Sequence, residues 1–86
     1  MFSEGARMTA SDLDLIRESF ARILRMERNK LNLSQEELGH RAGITTRFVS
    51  LLECNKQQPT ISTLASLSQA LELPLSEIFK KIEDGV

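Results

Sequence analysis

The side chains that could act as nucleophiles, acids or metal ligands are not grouped as catalysis or coordination requires. Cys54 and His40 are the single cysteine and the single histidine of the 86-residue chain. One of each cannot build a Cys/His zinc site, and one cysteine cannot form an intrachain disulfide. Ser, His and Asp all occur, but nothing in their spacing arranges a triad, and no glycine-rich phosphate loop is present. Neither an enzyme nor a cofactor or metal is therefore expected. His40 is read as a surface residue and Cys54 as a helix-end residue. The chemistry that remains is hydrogen bonding and point charge. It gathers in residues 35–54, QEELGHRAGITTRFVSLLEC, and in Asn55 and Lys56 just beyond. On residue type alone, Thr46, Arg47 and Ser50 make an ordinary solvated helix face, so their meaning depends on what positions them.

That stretch reads as two short helices with a tight connection at Gly43-Ile44. Ser34-Gln-Glu-Glu37 is a complete S-x-x-E capping box for the first. Gly43 supplies the positive φ of a sharp turn, and Thr45 can cap the second helix, which should end near Cys54. Leu38, Ala42, Ile44, Val49 and Leu52 recur at spacings that face the rest of a domain. Gly39 falls where the two helices cross beside their shared turn, and anything larger than Gly or Ala there would push them apart. Two helices held at a steep angle by a short turn form the arrangement that offers its second helix to a DNA major groove.

Helical periodicity dominates the rest of the chain. Ser11 followed by Asp14 predicts the start of a first helix running to about Leu31, with Leu13, Ile16, Phe20, Ile23 and Leu24 inward and Asn32 as a left-handed cap. Thr60, after Pro59, opens a fourth helix with Ile61, Leu64, Leu67 and Leu71 inward and Ser62, Ser66 and Ser68 outward. Leu75 to about Ile82 makes a fifth, presenting Leu75, Ile78, Phe79 and Ile82. The fold class expected is all-α, one compact five-helix domain over residues 11–82 with its helix-turn-helix at about 34–54. Segment 1–10 is expected to be flexible and 83–86 a short tail.

Composition sets limits around this. Hydrophobic residues make up 41% and charged residues 27% of the chain, enough for one core under an ordinary solvated surface. The N-terminus lacks the apolar run of a secretory signal, and no stretch approaches a membrane span of roughly 18 apolar residues. A reducing, cytoplasmic setting is expected. Net charge is −1, but Arg25 to Lys56 holds six basic and four acidic residues. A locally positive patch of this size permits nucleic-acid binding without establishing it.

Taken in order, RNKLNLSQEELG (28–39), AGITTRFVSLLE (42–53), KQQPTISTLASLSQALEL (56–73) and SEIF (76–79) resemble the Cro and phage-repressor-like, or Xre-type, helix-turn-helix regulators. The resemblance spans Arg25 to Phe79 without a gap. It implies a repressor-like transcriptional regulator that binds a double-stranded DNA operator. By the same resemblance, Thr46, Arg47, Ser50 and Leu51 would read base edges. Gln35, Thr45, Asn55 and Lys56 would contact phosphate. Arg28 and Glu53 match a family pair that forms a structural salt bridge. Leu51 stands where a polar base reader is common, and Asn32, Asn55 and Glu72 stand where glycine is common.

A homodimer on an inverted repeat is the expected working state, with Leu75, Phe79 and Ile82 as interface candidates. One recognition helix touches few bases, and half-sites of this kind lie about 34 Å apart. The alternative is a protein-interaction module on the same fold, as in an antitoxin or an assembly factor, and an acidic pI and Leu51 point toward it.

Overall fold

The computed structural model describes residues 9–86. It contains five helices: α1 Ala10–Lys30, α2 Gln35–Ala42, α3 Thr46–Glu53, α4 Ile61–Ala70 and α5 Leu75–Asp84. The segment expected to be flexible, 1–10, lies almost wholly outside the described residues. No helix among the described residues is long and apolar enough to cross a membrane.

Short polar side chains start four of the helices by satisfying orphan N–H groups of the first turn. Thr9 caps α1: its Oγ1 accepts the Asp12 amide at 3.1 Å, while Asp12 Oδ2 accepts the Thr9 amide at 2.9 Å. The helix thus begins two residues before the expected Ser11–Asp14 start, because Thr9-x-x-Asp12 closes the same reciprocal box and adds helical hydrogen bonds. Ser34 and Glu37 close the box of α2 at 3.0 and 2.8 Å. Bonds to the Ser34 backbone and side chain hold the Glu37 carboxyl below its ordinary range. Thr45 and Thr60 cap α3 and α4 through Phe48 and Thr63 amides at 3.0 and 3.1 Å. Pro74 precedes α5 without a side-chain cap, and α5 continues two residues past Ile82.

The core is one cluster in which Leu24, Leu38, Val49, Leu52 and Leu67 are the most completely buried large side chains. α1 packs on α3 and α5, α2 on α3 and α4, and α4 on α5. Two expected core positions lie outside it. Leu13 is 42% and Ile61 is 72% exposed. A 21-residue helix is about 31 Å long, whereas the shorter dimensions of the molecule are 23 and 21 Å. The first turns of α1, with Leu13, therefore run past the body. Ile61 is the first residue of α4. Ser62 faces solvent, but Ser66 and Ser68 are half-buried, and Ser68 donates to Leu73 O at 2.6 Å across the α4–α5 turn.

Candidate nucleic-acid interface

Two glycines determine how α2 presents α3. Gly43 sits at φ 70° and reverses the chain at the end of α2. Gly39 lies under the turn, where an added Cβ would be only 2.7 Å from the Ile44 carbonyl oxygen, so the alanine expected to fit there is also too large. Backbone passes where a side chain would otherwise be, and this contact sets the close crossing of the two helices.

α3 buries Val49, Leu52 and Glu53 and turns Thr46 and Arg47 to solvent. Ser50 and Leu51 are half-buried on its flank. At one end Thr45 is exposed while its hydroxyl caps the helix. At the other, Asn55 takes the left-handed conformation at φ 58° and leads to the exposed Lys56. Exposed guanidinium and hydroxyl groups thus stand between two turns that carry further polar groups. The opposing charges nearby are Glu36 and Glu37 in the first turn of α2.

Beneath this surface lies a buried ionic knot. Glu53 is 2% exposed, and Arg28 grips it with two bonds, Nε to Oε2 at 2.6 Å and Nη2 to Oε1 at 2.9 Å. Arg28 also donates from Nη1 to Leu33 O at 2.8 Å, joining the α1–α2 turn to the pair. The bond to Glu53 holds the Arg28 guanidinium above its ordinary pKa, against the opposing effect of burial. A bidentate guanidinium–carboxylate contact is directional as well as strong, so it fixes the angle between α1 and α3.

Two further partners of Glu53 were not legible in the sequence. Gln35 Nε2 donates to Glu53 Oε1 at 3.1 Å, so the side chain expected to meet phosphate is also part of the knot. Arg25 Nη1 donates to the main-chain carbonyl of Glu53. Its position three residues before Arg28, on the same face of α1, was the available signal.

The interface candidates on α5 separate from one another. Ile82 is 7% exposed and belongs to the core of a single chain, so it is not available to a partner. The reason is that α1 covers the end of α5, where Ser19 Oγ bonds Ile82 O at 3.2 Å. Leu75 is half-buried against the core, and Phe79 remains 42% exposed. Among the described residues, no group of three or more His, Cys, Asp or Glu side chains could hold a metal ion.

Comparison with known proteins gives this geometry a context. A helix-turn-helix family model matches residues 24–78. An uncharacterized HTH-type transcriptional regulator, y4dJ, of Sinorhizobium fredii is 39% identical over 57 residues, covering 66% of this chain and 69% of that protein. Control protein C.SmaI of Serratia marcescens is 32% identical over 66 residues, covering 77% and 79% respectively. The restriction-modification controller protein C.AhdI from Aeromonas hydrophila has a TM-score of 0.70 at 28% identity, over 78% of this chain and 98% of that one. The controller protein C.Esp1396I, at 18% identity, shares the fold with a TM-score of 0.76 over 81% of this chain and 91% of that one. The chain belongs to the helix-turn-helix family of Xre/Cro-C1-type, DNA-binding transcription regulators.

Proposed function

We propose that this protein is a cytoplasmic, sequence-specific regulator that reads the major groove of double-stranded DNA with α3, as a homodimer on an inverted repeat. The observation that carries this reading is the exposed Thr46–Arg47 end of α3, held against α2 by the Gly39–Ile44 contact and flanked by polar turns. Arg47 and Thr46, with the half-buried Ser50 and Leu51, read base edges. Arg47 contributes most, because a bidentate guanidinium contact to guanine is worth about 1–3 kcal/mol of discrimination. Leu51 meets an apolar edge such as a thymine methyl. Thr45, Asn55 and Lys56 bind phosphate, and Gln35 uses the second hydrogen of its amide for the same purpose while the first stays on Glu53. The likeness to C.SmaI and C.AhdI, named as a control and a controller protein, supports a regulator of transcription.

Selection from a random duplex pool, followed by affinity against salt for wild type and Arg47→Ala, tests the proposal. The expected outcome is an inverted repeat, a steep salt dependence, and a variant that binds with relaxed specificity at one base position. Enrichment of no sequence, with only weak salt-sensitive binding, would replace it with the protein-interaction reading. That reading draws on Ile61, which at 72% exposure is an apolar side chain without cover.

A further inference from the structure

The last turn of α3 leaves one main-chain acceptor that neither the helix nor the following turn uses. Ser50 O accepts the Cys54 amide at 3.0 Å and Leu52 O accepts Asn55 at 3.2 Å, while Leu51 O accepts Lys56 and Gln57 at 2.9 and 3.3 Å. Glu53 O accepts no amide from that turn, and the last turn of α3 contains no basic residue of its own. A helix end in this state needs both a hydrogen-bond donor and positive charge against its dipole. α1 supplies both through Arg25, whose guanidinium donates to Glu53 O. Glu53 is thereby held at its carboxylate by Arg28 and Gln35 and at its carbonyl by Arg25. The next turn is the one that carries Asn55 and Lys56.

We infer that Arg25 is a positioning residue for DNA recognition, a clamp from α1 that sets where α3 ends and where Asn55 and Lys56 lie relative to its base-reading face. Its functional consequence rests on the DNA-binding reading above; its structural consequence does not. Arg25 is itself exposed, so its removal opens no core cavity. The effect is local to the end of α3 and separate from that of the half-buried Arg28.

The test uses the full chain as wild type, Arg25→Ala and Arg25→Lys. Amide hydrogen exchange is followed by NMR without DNA, and affinity for the selected operator and for unrelated duplex is measured against salt. In Arg25→Ala, the Asn55, Lys56 and Gln57 amides exchange roughly tenfold faster, while Leu24 and Val49 amides are unchanged. Operator affinity falls roughly tenfold with an unaltered salt slope, and affinity for unrelated duplex hardly moves. Arg25→Lys recovers most of both effects, since an ammonium also donates to a carbonyl. Unchanged exchange at the three amides overturns the clamp. Unchanged exchange with a salt slope shallower by about one makes Arg25 a phosphate ligand instead. Should wild type select no duplex, the DNA reading fails on its own, and the exchange measurement still decides the clamp.

Discussion

At the scale of single residues, Glu53 is where the interface and the scaffold meet. Its carboxylate is out of water and its charge is balanced by Arg28. Replacing both partners of such a pair by apolar groups is often neutral, but removing one strands the other. Arg28→Ala should cost about 3 kcal/mol at neutral pH by urea denaturation. A loss of less than about 1 kcal/mol would show that Glu53 finds water or another donor when Arg28 is lost.

At the scale of elements, the turns bear the strain. The α4–α5 turn forces Glu72 to φ 55°, a left-handed conformation without the help that Asn gives at the corresponding positions 32 and 55. Glu72→Gly should therefore stabilise the fold by about 0.5–1 kcal/mol, the relief of the side-chain clash exceeding the added freedom of the unfolded chain. Thermal denaturation checks this, and a lower Tm would mean that Glu72 is held by contacts the strain conceals. Gly39 has the opposite sensitivity. A methyl there meets the Ile44 carbonyl, which is backbone and cannot swing aside. Gly39→Ala should cost about 1–3 kcal/mol by overpacking, and circular dichroism in urea gives the value. The same substitution should weaken operator binding, because the helices can accept the methyl only by opening their crossing angle.

At the scale of the whole molecule, the apolar side chains left in water are scattered, with Phe79 the one exposed on α5. The dimer proposed above uses this edge with half-buried Leu75. Phe79→Glu should leave the Tm within a few degrees, as expected for a substitution at an exposed site, and should shift sedimentation from the proposed dimer to a monomer. Ile82→Glu should instead unfold the chain, because it places a charge in the core. Wild type that sediments as a monomer at every concentration, with or without DNA, would rule out the dimer.

Much of this was legible in the amino-acid order because the deciding interactions are local. Ser34 and Glu37 are three residues apart and close their own cap, and Gly43 takes the φ that its turn requires. The Leu38–Val49–Leu52 pattern specifies the inward faces of two helices whose connection leaves them little freedom. Even Gly39 could be placed, since its neighbour is the turn four residues on. Where two local solutions were nearly equal, order alone was insufficient: Thr9-x-x-Asp12 and Ser11-x-x-Asp14 both make a cap, and the longer helix prevails. Leu13, Ile61 and Ile82 were undecidable for another reason. Periodicity tells which side of a helix is apolar, but not how far along it a partner extends. Only the packing of α5 under α1 buries Ile82, and only the overhang of α1 leaves Leu13 in water. Gln35 and Arg25 are the clearest cases, 18 and 28 positions from Glu53. Their bonds exist because three helices converge on Glu53, whose carboxylate takes Gln35 and whose main-chain carbonyl takes Arg25, a geometry that no local pattern encodes.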